Sequence, residues 1–222
     1  MDASIRGFEQ PGSGAASRRW TTSIESGGHV YELECRETIH DLDALKDDWQ
    51  ALERRCPDEF NYFQSFDWCR TWCEAFLSGE RQDGTRPKVY VLWDGADCLM
   101  IWPLMARRLG GSLTVLLPLT APMNQYTSLV HDPARFDLAL GQAVFRAIRN
   151  RGGRDAICLD HVPQSGLLAG IIEAQGLQPT VRLQSSILDL SGITDWESHH
   201  RALPKKQRLQ RNSRRNKLEK LG

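Results

Sequence analysis

Apolar and polar positions alternate, cluster and lapse along this chain in a pattern that names its elements. His29 to Glu37 (HVYELECRE) alternates and predicts a first strand. Beyond Asp41, the stretch LDALKDDWQALERR sets Leu42, Leu45, Trp49 and Leu52 on one helical face, with acids in its first turn. Pro57 breaks that pattern, and Ser65 can cap a second helix, FDWCRTWCEAFL, after which Gly79 to Pro87 reads as a polar loop. The organising stretch follows. In KVYVLWDGADCLMIWPLMARR (Lys88 to Arg108), two apolar arms flank a turn at Asp94-Gly95. Neither arm alternates cleanly, so both predict strands buried on two faces, and such a sheet needs helices on both sides.

Past the hairpin, Ser112 to Leu119 is another apolar run, and Tyr126 to His131 suggests a short strand within TAPMNQYTSLVHDP. Ala134 to Arg151 is an amphipathic helix stopped by Gly152-Gly153. Asp155 to Asp160 predicts a short buried strand, Ser165 to Gln175 a helix, and Thr180 to Leu190 a strand. Asp195 to Leu221 reads as largely helical with an interruption at Pro204. Met1 to Gly28, rich in Gly, Ser, Ala, Arg and Pro, is expected to be a flexible leader. The expected organisation is therefore a leader over 1–28, an α/β domain over 29–200 and a basic linker helix over 201–222.

Composition narrows the function classes. With 222 residues, 41% hydrophobic and 25% charged, the chain suits one globular domain with tails. Acids and bases balance at 28 each, yet Arg201 to Gly222 holds nine basic residues against Glu219 alone, leaving an acidic body with a basic end. Six scattered cysteines and an opening without a secretory apolar core point to reduced, mostly buried thiols in a cytoplasmic protein. No window nears the about 18 continuous apolar residues of a membrane span.

The order strand, helix, helix, three strands, helix, strand, helix, strand, helix is similar to that of the GNAT acyltransferases, a GNAT-like mixed sheet flanked by helices and ending in a basic C-terminal helix. Four stretches sharpen the likeness: FQSFDWCRTW (Phe63 to Trp72), IWPL (Ile101 to Leu104), NQYTSLVHD (Asn124 to Asp132) and LPKKQRLQRNSRRNKLEKLG (Leu203 to Gly222). Together they resemble the first half of the CelD-type, FemAB-like acetyltransferases. The resemblance implies a tandem enzyme whose second GNAT-like half lies beyond this chain, and which moves an acetyl or acyl group from acyl-CoA to an amine or hydroxyl of an envelope or polysaccharide-related acceptor. It also implies that this half alone is inactive or nearly so.

A single GNAT domain cradles the pyrophosphate of acetyl-CoA in a glycine-rich turn at a helix start. Thr120 to Phe136 contains no glycine. No cofactor is therefore expected in this chain, with acetyl-CoA the co-substrate of the complete enzyme. Candidate acceptor-binding residues are Trp68, Trp72, Asn124, Gln125, Tyr126 and His161, because aromatic faces and amides suit a sugar or peptide. The simpler reading of Trp68 and Trp72 is packing for the second helix, and that of His161, beside Cys158 and Asp160 at a strand end, a loop residue bonding a carbonyl.

Catalytic residues stay unassigned: there is no GxSxG, P-loop or HExxH motif. Cys69 and Cys73 lie four apart on a helix, but no second pair with metal spacing follows, so no metal site is expected. The basic segment, with Lys205, Lys206, Arg208, Arg211, Arg214 and Arg215, admits three readings: a linker against acidic surface or ligand phosphates, a solvated face, or a cationic patch. The last defines the alternative function, a non-catalytic module binding nucleic acid or an acidic partner; the tail lacks the interleaved aromatics of a single-strand platform.

Overall fold

Alternate residues of the central hairpin point to opposite sides of one sheet, and both sides are covered. In the computed structural model, which describes residues 20–56, 58–77, 84–110, 112–184 and 192–220, the hairpin is β3 (Arg86–Asp94) and β4 (Asp97–Leu109). Val89 and Val91 face a core built with α1 (Ile39–Asp43), α2 (Lys46–Arg55) and α3 (Phe66–Leu77). Tyr90 and Leu92 face a second core with α4 (Leu138–Asn150) and α5 (Leu167–Glu173). Each fully buried large apolar side chain stabilises by about 1.5–3 kcal/mol. The result is the expected α/β class: a mixed sheet flanked by helices.

Among the described residues the sheet has seven strands, in the order β1, β2, β3, β4, β5, β7, with β6 also on β4. β1 (Trp20–Ser26), β2 (His29–Arg36), β3, β4 and β5 (Leu113–Pro118) run antiparallel in succession. β5 and β7 (Ala156–Ile157) are parallel, joined by the α4 crossover. From β2 to α5 the strands and helices follow the order expected from the sequence, except that the first helix is divided in two and β6 (Val130–His131) is added before α4.

Several expectations need correction. The expected leader contributes β1, because residues Trp20 to Ser26 pair along the whole of β2 through a Gly27-Gly28 turn with positive φ at both glycines. The rest of that leader, 1–19, lies outside the described residues, as does most of the polar loop at 78–83. The first helix is two, since Thr38 forms a capping box with Asp41 and starts α1 three residues before Leu42, and the chain restarts at Lys46. α4 begins at Leu138, not Ala134, because the Asp137 side chain accepts from Leu140 N at 2.8 Å. The strand expected over Asp155 to Asp160 shrinks to Ala156–Ile157 and is not buried. No strand forms over 180–184, and the remainder of that expected strand lies outside the described residues. Five cysteines are buried, but Cys158 is exposed.

The chain divides into two compact units, Met1–Gln178 and Pro179–Gly222. The second contains α6 (Trp196–Ala202), capped by Asp195, and after Pro204 the basic helix α7 (Lys205–Glu219), none of whose residues is buried. Arg211 lies over the Trp196 ring at 5.5 Å.

Candidate functional site

A proline in the middle of the sheet opens the site. Pro103 stands in β4, where its carbonyl accepts from Leu119 N at 3.1 Å. In an antiparallel ladder a residue's N–H and C=O point the same way, so the donor that proline lacks also faces the β5 side. There the neighbouring strand leaves. β5 pairs with Leu104 to Leu109, and β6 (Val130–His131) takes up the pairing again at Met100 and Ile101, so the chain between Pro118 and Val130 loops out of the sheet.

Four contacts hold this excursion. Gln64 Nε2 donates to the Tyr126 carbonyl at 2.9 Å, and Asn124 Nδ2 to Thr127 Oγ1 at 2.8 Å. Thr127 N–H donates to the His161 carbonyl at 3.0 Å, and the Phe60 and Tyr126 rings meet edge to face at 4.8 Å. Phe60 and Gln64 belong to a short 3₁₀ helix, Glu59–Gln64, started by the Asp58 side chain and pinned where Trp49 Nε1 donates to Gln64 O at 3.0 Å. His161 takes φ of 55°, a left-handed conformation that non-glycine residues seldom adopt and that clusters at functional loops. The site therefore lies beyond the carboxyl ends of β5 and β7, the side on which open α/β sheets bind ligands.

Of the residues singled out in the sequence, Asn124, Tyr126 and His161 are brought together here by the Gln64 and Thr127 bonds. Gln125 is exposed beside them. Trp68 is half-buried in an aromatic group of its own, 5.4 Å from Tyr62 and 5.5 Å from Phe63. Trp72 is in the core, its ring 5.2 Å from Phe76. Phe60 is not among the sequence candidates, and Gln64 enters only as part of FQSFDWCRTW, since EFNYFQ interrupts the helical pattern; the Asp58 cap before an aromatic-rich turn is the available signal.

Chemically the site is neutral and rich in amides. Gln64 and Asn124 are each 3% exposed, and their Oε1 and Oδ1 atoms have no hydrogen-bond partner among the described residues. Buried carbonyl oxygens of this kind accept N–H or O–H groups. A neighbouring thiol is not a poised nucleophile. Cys56 Sγ lies 3.6 Å from His131 Nδ1 and 3.2 Å from Asn61 Nδ2, but burial pushes the thiol up and the imidazole down, so both stay neutral. Burial also raises Cys69, and Cys73 is pushed up to about 12; no group of three metal-ligating side chains occurs among the described residues.

Acetyl-CoA does not fit this chain's own α4 start in the manner of a single GNAT domain. Thr120 to Phe136 lacks glycine, and Asp137 places a carboxylate on the first free N–H groups, where a pyrophosphate would meet like charge. No reaction step is therefore assigned through it here.

No protein-family model matches the chain, and no curated protein matches it. A solved structure titled as that of a possible acetyltransferase from Clostridium difficile 630 aligns over 71% of this chain and 97% of that one, with 14% identity and a TM-score of 0.40. So loose a likeness carries no argument about fold or chemistry. Among the described residues, no helix is long and apolar enough to cross a membrane.

Proposed function

We propose that this chain is the amino-terminal, acceptor-side half of a CelD- or FemAB-like tandem GNAT acyltransferase. The complete enzyme moves an acetyl or other acyl group from acyl-CoA to an amine or hydroxyl of an envelope or polysaccharide-related acceptor. The observation that carries this reading is the excursion between β5 and β6. Its aromatic faces and two unpartnered buried amide oxygens suit a hydroxyl- or amine-bearing acceptor, while the Asp137-capped α4 disfavours the donor's pyrophosphate. On this reading Tyr126, Asn124 and Gln64 hold the acceptor, Gln125 and His161 border it, and α7 links to the second half, which supplies donor binding. Acyl transfer needs a deprotonated nucleophile and a stabilised oxyanion, and neither role is assigned to a residue of this chain.

The deciding experiment reads the frame beyond the codon for Gly222 and assays the purified chain with acetyl-CoA. A frame that continues into a second GNAT-like half, together with an inactive isolated chain, upholds the proposal. A stop codon followed by unrelated sequence, or acyl transfer by the 222 residues alone, overturns it.

A second reading draws on α7, none of whose residues is buried: a cytoplasmic binding module that holds nucleic acid or an acidic partner through Lys205, Lys206, Arg208, Arg211, Arg214 and Arg215. It requires binding at low salt that falls steeply toward physiological ionic strength.

A further inference from the structure

At the opposite end of the sheet, where β3 and β5 begin, three cations gather around one carboxylate and a fourth stands beside them. Glu37, just past β2, forms an ion pair with Lys88 and is met by Arg151 Nη2 at 3.1 Å and Arg86 Nε at 3.5 Å. Arg151 is the C-terminal cap of α4, its guanidinium 4.5 Å above the Trp20 ring. Arg154, before β7, shares with it the neighbourhood of Cys35 and Tyr90.

Charge in this pocket of the fold is unbalanced. Burial pushes the Cys35 thiol up to about 11 and the Tyr90 hydroxyl higher still, so neither supplies an anion near neutral pH. The nearby Asp155 carboxylate is engaged with Thr114 N at 2.7 Å. Arg151 Nη1 and Arg154 Nη2 are buried and have no hydrogen-bond partner of normal geometry among the described residues. Burial lowers the Arg154 pKa, and the neighbouring Arg151 charge adds to that against an opposing contribution from Tyr90. Buried cations are ordinarily paired, and forked guanidinium groups match tetrahedral oxyanions in both charge and shape.

We propose that Arg151, Arg154, Lys88 and Arg86 form a binding site for the phosphate or diphosphate group of a small molecule. The site lies at the far end of the sheet from the acceptor excursion. It stands whether or not the acyltransferase reading does.

The test uses the full 222-residue chain, titrated with inorganic pyrophosphate and with inorganic phosphate, against sodium chloride at matched ionic strength. Melting temperature and binding heat are the readouts. The expected result is a saturable rise in melting temperature, larger for pyrophosphate than for phosphate and absent with chloride. Arg154→Gln should bind pyrophosphate ~10-fold or more weakly, as expected for a lost charged hydrogen bond. Without ligand it should melt no lower than the parent, because it removes an uncompensated charge. Arg86→Gln, at a side chain 55% exposed, tests the same site without threatening the fold and should also weaken binding. A triple Lys205→Gln, Arg208→Gln, Arg211→Gln variant should bind as the parent does. A response no greater than that to chloride, undiminished binding in both Arg154→Gln and Arg86→Gln, or loss of binding in the triple variant overturns the proposal.

Discussion

The two ends of one sheet are built on opposite chemistry. Where β5 and β7 finish, the excursion presents amides, aromatic rings and a carbonyl-bonded backbone, with polar atoms that discriminate by direction. Where β3 and β5 begin, Lys88, Arg86 and Arg151 crowd one carboxylate with Arg154 beside them, and attraction there depends on charge. The contrast teaches that a single scaffold can read shape at one end and charge at the other, because a sheet covered on both faces by helices leaves its two ends as the accessible surfaces.

The largest way to break the contrast is to remove what the ends share. Trp102 lies in the core between them, stacked on Phe145 at 6.0 Å. Trp102→Ala should lower stability by about 3–5 kcal/mol in a urea titration, with both ends lost together. If only one end loosens, the sheet does not couple them.

Next come the two glutamates, whose titrations have opposite signs. Burial alone would raise Glu37, but the hydrogen bond and charge of Lys88 and the charge of Arg151 outweigh it and hold the carboxyl below its ordinary 4.5. A depressed folded-state pKa means that the stabilisation is complete above 4.5 and fades as pH falls through the folded value. Glu37→Gln should therefore cost about 3 kcal/mol at pH 7 and abolish this acid-side slope, read as melting temperature against pH. An unchanged slope would show that Glu37 does not anchor the cations.

At the excursion, Gln64→Ala removes the bond to the Tyr126 carbonyl and should cost about 2 kcal/mol, with faster amide exchange over residues 124–127. Exchange rates there equal to the parent's would mean that the 3₁₀ helix does not hold the loop.

The smallest effect is at Glu53, which accepts from Phe66 N at 2.6 Å and helps cap α3. Burial raises its pKa, so the stability tied to its protonated form is present below 4.5 and is lost as pH rises through the folded value. Glu53→Gln keeps an acceptor for Phe66, and should gain about 1 kcal/mol over the parent between pH 4 and 7. A gain in the reverse direction would mean that the carboxylate, not its acid form, is the better cap.

Much of the fold could be read from residues whose pattern states burial directly. The two-faced apolar runs around Asp94-Gly95 announced the hairpin, and the periodicity of Ala134 to Arg151 announced α4. Trp20 to Ser26 is a polar-rich edge strand whose order comes from pairing with β2, a non-local partner that local pattern does not contain. β6 and β7 do form within the strands expected over Tyr126 to His131 and Asp155 to Asp160, but over two residues each, too few for periodicity to set their ends. At the candidate site, Tyr126 and Asn124 stand out in the sequence because amides and aromatics in an irregular segment have few structural explanations. The contribution of Gln64 does not, since only folding brings residue 64 against residue 126. The cationic cluster was equally invisible, its members being drawn from positions 37 to 154.

The excursion also bears on how this protein can change over time. The register of β6 is set by Met100 and Ile101 of β4, not by the length of chain leading to it. Residues inserted or deleted between Pro118 and Val130 would shift no strand, and closing a loop twice as long costs only about 0.6 kcal/mol more. Descendants of this sequence can therefore try new loops, and new ligands with them, on an unaltered frame.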